Sequence, residues 1–94
     1  MAYNKLSTYR TTWEQEGDRG SVIYANTKIV EWTPDTITLR TGGWRSVTTK
    51  RKMEQAARQF GLGYQIYQKS YDWFVDTCRG KLAFEGNTLS FPRR

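Results

Sequence analysis

Hydrophobic and polar positions alternate in the first half of the chain in a way that is typical of β-strands. Residues 21–32 are rich in β-branched and aromatic side chains, which favour strands, and Asn26-Thr27 marks a bend or bulge within them. Residues 36–41 alternate apolar with polar side chains, as a half-buried strand does. Between the two stretches, Thr33-Pro34-Asp35-Thr36 has the composition of a turn because proline presets φ. The pattern predicts a β-hairpin.

A different period follows the hairpin. Gly42-Gly43 breaks the strand, and apolar residues then recur at positions i, i+3, i+4 and i+7, which predicts one helix over residues 49–60. Thr48 or Thr49 can cap its first turn, and Gly61 suits a left-handed stop after its last turn. The apolar stripe consists of Met53, Ala56, Ala57 and Phe60.

The last third of the chain returns to strand-like segments. Residues 64–68 and 73–75 predict a third and a fourth strand. Residues 82–85 and 88–91 flank Gly86-Asn87, and this arrangement predicts a closing hairpin with a two-residue turn. The predicted order is therefore β-β-α-β-β-β.

Two regions with different compositions give the domain organisation. Residues 1–20 are polar and predict an N-terminal arm. Residues 21–94 then form a single small α+β domain, an antiparallel sheet with one helix packed on it.

The composition excludes most catalytic chemistry. The 94 residues include no histidine and one cysteine, Cys78, so the chain has no Ser–His–Asp triad, no His-ligated metal and no internal disulfide. No apolar run approaches the roughly 20 residues that cross a bilayer. We therefore expect a non-enzymatic protein without cofactor or metal, away from membranes and in a reducing intracellular compartment.

The positive charge is concentrated in one segment. The chain has 15 Lys and Arg against 9 Asp and Glu, a formal net charge of +6. Residues 36–60 hold six basic side chains against Glu54 alone, a net of +5. This asymmetry predicts a partner that is a polyanion, and it requires the six basic side chains to share one face. These residues are Arg40, Arg45, Lys50, Arg51, Lys52 and Arg58.

The candidate site centres on the start of the predicted helix, where Lys50, Arg51 and Lys52 stand in place of the acidic residues that a helix N-terminus favours. Helix-start amides, threonine hydroxyls and cations together can bind a phosphate. Trp44 either stacks on a base or covers the helix as a core residue. The predicted nucleic-acid-binding residues are Arg40, Trp44, Arg45, Lys50, Arg51, Lys52, Gln55 and Arg58.

Two modes of binding are compatible with these residues. Single-stranded bases can stack on aromatic side chains of an exposed sheet face, with Tyr64, Tyr67 and Trp73 as candidates. Alternatively, Arg51, Gln55 and Arg58 enter a major groove, where Arg and Gln recognise guanine and adenine edges. DNA and RNA both remain open as partners.

The segment Gly42-Gly43-Trp44-Arg45-Ser46-Val47-Thr48-Thr49 before the basic helix start resembles a motif of small bacteriophage proteins to which no activity is assigned. Ser46 and Glu54 depart from that pattern, which has Thr and Asn there. The likeness spans roughly residues 22–92 and implies a phage-encoded accessory protein in the cytoplasm of an infected bacterial cell. It carries over no catalytic or binding residue.

Two hypotheses for function follow. The first is an accessory protein that binds DNA or RNA. The alternative is a phage-encoded inhibitor for host takeover, which binds and blocks a host bacterial protein such as a defence nuclease or a polymerase, because Trp, Tyr and Arg dominate protein interfaces. A small virion component is a third possibility.

Overall fold

The structure is a computed structural model that describes residues 10–43, 47–70, 72–84 and 86–93. Within these ranges the chain forms eight strands and one helix. The elements are β1 (Thr11–Glu16), β2 (Arg19–Tyr24), β3 (Thr27–Trp32), β4 (Thr36–Arg40), α1 (Val47–Gln59), β5 (Gln65–Lys69), β6 (Asp72–Thr77), β7 (Gly80–Phe84) and β8 (Thr88–Pro92).

The strands belong to two antiparallel sheets. The large sheet has the order β1-β2-β3-β4-β8, and the small sheet has the order β5-β6-β7. Strands make up 56% of the described residues. The predicted α+β class, with one sheet and one helix packed on it, is therefore wrong: the protein is mainly β, and its single helix accompanies two sheets.

A second correction concerns residues 11–20, which the sequence pattern placed in a polar arm. They form β1 and the start of β2, and β1 pairs with β2 along its whole length. All residues of β1 except Thr11 are exposed, so this edge strand shows no apolar alternation that could reveal it. Residues 1–9 of the predicted arm lie outside the described residues.

Residues 21–32 form two strands joined by a tight turn. Ala25 and Asn26 both have positive φ, 49° and 70°, the conformation of a two-residue type I′ hairpin. The sequence does not predict this turn, because alanine rarely adopts positive φ. A register shift opposite Val22 and Ile23 makes a bulge at Ile29, so Ile29 and the next residue, Val30, are both buried.

The predicted hairpin between β3 and β4 is confirmed. The backbone N–H of Thr33 donates to the Thr36 carbonyl at 2.9 Å. The Thr33 hydroxyl accepts from the backbone N–H groups of Asp35 and Thr36 at 3.2 and 3.1 Å. The turn is therefore closed by a threonine side chain as well as preset by Pro34.

The predicted helix is also confirmed, although it begins at Val47 and not at residue 49. Three members of the stripe are buried, and Phe60 packs its ring 4.7 Å from that of Trp32. Gly61 has φ +64°, and the N–H of Leu62 donates to the Ala57 carbonyl at 2.9 Å. This bond is the 6→1 bond of a Schellman motif.

The predicted closing hairpin is wrong, although both of its strands exist. β7 pairs with β6 in the small sheet, and β8 pairs with β4 in the large sheet. Asn87 anchors the connection between β7 and β8 to the large sheet. Its backbone carbonyl accepts a hydrogen bond from the Thr41 N–H at 2.9 Å, and its side-chain oxygen accepts one from the Thr41 hydroxyl at 3.0 Å. The segment therefore connects two sheets.

Both sheets and the helix contribute to one hydrophobic core. Helix α1 contacts β3 of the large sheet and β5 of the small sheet. The largest fully buried side chains come from both sheets. They include Trp32, Ile37 and Leu39 from the large sheet, and Trp73 and Phe84 from the small sheet. The opposite face of each sheet carries the partly exposed and polar side chains.

Candidate functional site

Three of the predicted cations share one surface on α1. Lys50, Arg51 and Arg58 line a shallow recess of about 390 Å³, which also includes Val47, Glu54 and Gln55. We call this surface the helix recess. Its three positive charges face one carboxylate, that of Glu54, and α1 has no acidic residue in its first turn. Within the described part of the chain, neither Lys50 nor Arg51 forms an ion pair. The helix recess is therefore a positively charged concave surface.

Lys52 lies away from the helix recess. It is only 2% exposed, and its Nζ lies 5.0 Å from the centroid of the Tyr24 ring on β2, which is the distance of a cation–π contact. Burial lowers the pKa of Lys52 below its usual value. The side chain connects the helix to the large sheet, so it does not join the other cations at the surface.

Arg40 is also separate from the helix recess. Its guanidinium forms an ion pair with Glu31 at 3.0 Å, and Glu31 also pairs with Lys28 at 3.8 Å. Arg40 is the last residue of β4, in which Ile37 and Leu39 are buried, so the alternation puts Arg40 on the face of the large sheet that points away from the core. Its charge is balanced locally.

Two further predicted site residues, Trp44 and Arg45, lie outside the described residues. Gln55 borders the helix recess, but it is 7% exposed, and both Gln55 and Arg58 interact within the protein. The structure thus brings Lys50, Arg51 and Arg58 together and separates Arg40 and Lys52 from them.

The outward face of the small sheet carries a pair of aromatic rings. Tyr67 and Phe74 are directly opposite each other on β5 and β6, their ring centroids are 5.5 Å apart, and the rings are nearly parallel at 23°. Both rings are partly exposed, while their neighbours in sequence Ile66, Trp73 and Val75 point into the core. We call this pair the aromatic platform.

Lys81 adds a positive charge to the platform. Its Nζ lies 5.3 Å from the centroid of the Tyr67 ring. The side-chain hydrogen bond with Tyr67, and then the attraction to Tyr67 and Asp76, raise the pKa of Lys81 above its usual value. The ammonium group therefore stays charged at neutral pH.

The helix recess and the platform border each other through Arg58. Arg58 lines the helix recess and also a second recess that includes Gln65 and Asp76. Gln65 and Asp76 are paired across β5 and β6, two residues before Tyr67 and two after Phe74, so they lie on the same sheet face as the platform. The second recess therefore lies between the helix recess and the platform.

Two of the three aromatic residues predicted to stack on bases do not lie on an exposed sheet face. Tyr64 and Trp73 are buried, so their assignment to an exposed sheet face is wrong. Trp73 packs edge-on against Phe84 in the core, with 6.0 Å between ring centroids. Only Tyr67 faces outward. Its partner Phe74 was missed, although the alternation of Trp73, Phe74 and Val75 in one strand places Phe74 on the opposite face from its neighbours.

Comparison with known proteins gives the family. A family model described as Kyanoviridae Gp96 protein matches residues 2–90, nearly the whole chain. The chain belongs to the Kyanoviridae Gp96 family. This is a family of phage proteins, which confirms the phage origin that the sequence resemblance implied. No curated protein and no solved structure gives a significant match.

The described part of this Kyanoviridae Gp96 chain has neither a metal-binding cluster nor a membrane-spanning helix. Among the described residues, no group of three or more Cys, Asp or Glu side chains is placed to hold a metal ion. No helix in the described ranges has the length and apolarity that crossing a membrane requires.

Proposed function

We propose that this phage protein binds nucleic acid through the helix recess. The observation that carries the proposal is the convergence of Lys50, Arg51 and Arg58 on one concave surface with a single carboxylate. Most other cations described above are used internally, since Arg40 pairs with Glu31 and Lys52 is buried against Tyr24. Of the predicted cations that the structure describes, Lys50, Arg51 and Arg58 are therefore the ones that share a surface that a phosphate backbone can approach.

Phosphate binding follows from the chemistry of these side chains. Arginine presents a planar fork of N–H donors that matches two phosphate oxygens, and lysine provides a compact positive charge. Each phosphate that a cation neutralises releases condensed counterions, so affinity depends steeply on salt. This term is independent of sequence and applies to both DNA and RNA.

The geometry of α1 does not favour sequence recognition in a major groove. That mode needs Gln55 to reach a base edge, and Gln55 is 7% exposed. Glu54 also borders the helix recess, and its carboxylate opposes the insertion of α1 between the two phosphate backbones that flank a major groove. We therefore propose contacts to the backbone, without recognition of base sequence by α1.

The test is the salt dependence of binding to labelled oligonucleotides, measured by fluorescence anisotropy. In the triple variant Lys50→Ala, Arg51→Ala, Arg58→Ala, the slope of log affinity against log salt becomes shallower by about 2 to 3, because each lost phosphate contact removes about 0.7–0.9. The matched control is Arg10→Ala, Arg19→Ala, Lys28→Ala. It removes the same charge from exposed positions outside the helix recess, so its slope stays close to that of the wild type.

Two results would overturn the proposal. One is a wild-type protein that binds neither DNA nor RNA at low salt, and this result would make inhibition of a host protein the hypothesis to test next. The other is an equal loss of affinity in the triple variant and its control, which would show that only net charge matters.

A further inference from the structure

We propose that the aromatic platform stacks on unpaired bases, so that single-stranded nucleic acid is the preferred ligand. This inference rests on the proposed function, because the helix recess provides the attraction for the phosphate backbone. The platform adds a preference for single-stranded over double-stranded nucleic acid.

The first argument is the presentation of the two rings. Tyr67 and Phe74 form an offset, nearly parallel pair with 5.5 Å between centroids. The described residues around them on this face are exposed, except Asp76, which is partly exposed; the exposed ones are Gln65, Lys69, Asp72, Lys81 and Ala83. Aromatic side chains on a sheet face that stack with bases are a common means of binding single strands, since every base has a π-face. In a duplex those faces are already stacked on neighbouring base pairs and are not accessible.

The second argument is the charge around the platform. Among the described residues of this sheet face, Lys69 and Lys81 are balanced by Asp72 and Asp76. Attraction for phosphate falls to the helix recess. The platform contributes ring surface, and the Lys81 ammonium lies over the Tyr67 ring, 5.3 Å from its centroid, where it adds one positive contact.

The third argument is continuity. Arg58 borders both the helix recess and the recess formed by Gln65 and Asp76, next to the platform. A strand whose phosphates contact Lys50, Arg51 and Arg58 can therefore place its next bases on Tyr67 and Phe74. A duplex can use the helix recess alone, because its bases are not available to the rings.

The experiment compares a labelled 20-nucleotide oligo(dT) with a 20-base-pair duplex, for the wild type and the double variant Tyr67→Leu, Phe74→Leu. Leucine keeps apolar volume on the sheet and removes the π-face. The wild type binds oligo(dT) more tightly than the duplex. The double variant loses between about 5-fold and 100-fold in affinity for oligo(dT), the range expected for one stacked base. Its affinity for the duplex and its salt slope change little.

Tyr67→Phe is the matched control. It keeps the ring and removes only the hydroxyl group, so it retains the preference for single strands. Thermal unfolding of each variant verifies the fold, and the single variant Phe74→Leu provides the same comparison should the double variant unfold. An oligonucleotide with 2-aminopurine gives a direct measurement, because its fluorescence is quenched when the base stacks on the wild-type platform and less so in the leucine variant.

The outcomes separate this inference from the proposed function. If the double variant binds oligo(dT) like the wild type while the triple variant of the helix recess binds weakly, the stacking inference is wrong and the proposed function stands. If the wild type binds no nucleic acid, both are wrong. A wild type that prefers the duplex would also overturn the inference.

Discussion

Tyr64 connects three parts of the core through one side chain. Its hydroxyl donates to the Met53 carbonyl of α1 at 2.6 Å, and its ring packs edge-on against Phe91 of β8, 5.8 Å away. Burial and, to a smaller extent, the charge of Glu54 raise its pKa above the ordinary value of 10.0. A tyrosine is stable in a hydrophobic core when its ring packs against apolar side chains and its hydroxyl has a hydrogen-bond partner.

This arrangement predicts a pH-dependent effect of Tyr64→Phe. At pH 7 the variant loses about 1 kcal/mol of stability, because one buried hydrogen bond is removed. The wild type loses stability above about pH 10, since its unfolded state releases the Tyr64 proton and its folded state retains it. At pH 11 this loss amounts to about 1 kcal/mol, and Tyr64→Phe does not have it.

Urea unfolding of both proteins at pH 7 and pH 11 measures the difference. We expect the variant to be less stable at pH 7 and at least equally stable at pH 11. A difference that stays constant between the two pH values would show that the Tyr64 hydroxyl ionises as freely in the folded protein as in the unfolded chain.

Single residues also show where sequence analysis of the site succeeded. Arg51 and Arg58 lie on the helix side opposite the apolar stripe, so the periodicity placed these two together, and the structure adds Lys50 to the same recess. Lys52 comes directly before the first stripe residue, Met53, and a position at the edge of a stripe is either covered or exposed depending on its neighbour. Here the neighbour is Tyr24 on β2, which local periodicity cannot supply.

At the scale of elements, the sequence predicted those features that local rules determine. The stripe, the stop at Gly61 and the turn at residues 33–36 all depend on residues close in the chain. Strand partners do not. Residues 82–91 have the composition of a hairpin, yet β7 and β8 pair with β6 and β4, because both sheets must cover one core. The exposed edge strand β1 was missed for the related reason that it has little to bury.

The end of α1 provides a test at this scale. Gly61 has φ +64°, and no atom lies within 4 Å of the position that an added Cβ would take. Gly61→Ala therefore causes no clash, and its only cost is the left-handed backbone conformation. We expect a loss of about 1–2 kcal/mol. Gly61→Asn is the matched control, and it loses less because asparagine tolerates this conformation. Chemical unfolding gives both values, and equal losses would show that the backbone conformation is not the cause.

At the scale of the whole molecule, the two sheets form one structural unit because they share a core. The buried cluster includes residues of both sheets and of α1. The helix therefore has two roles. Its buried side joins the sheets, and its exposed side carries the helix recess next to the platform on the small sheet. The position of the proposed binding surface depends on the same packing that stabilises the fold.

This shared core predicts that one cavity in α1 weakens both sheets equally. Met53 is fully buried, so we expect Met53→Ala to lower the free energy of unfolding by about 2–5 kcal/mol. The total free energy of unfolding of a small domain is roughly 5–15 kcal/mol. Hydrogen exchange of backbone amides, measured under native conditions, should show the same loss of protection in β3 and β6. The control is Gln68→Ala, at an exposed position, which should leave the protection of both strands unchanged.

If β6 alone lost protection, the small sheet would unfold separately, and the platform would not be held rigidly beside the helix recess. Equal losses would mean that phosphate contacts and base stacking are fixed relative to each other by one cooperative core.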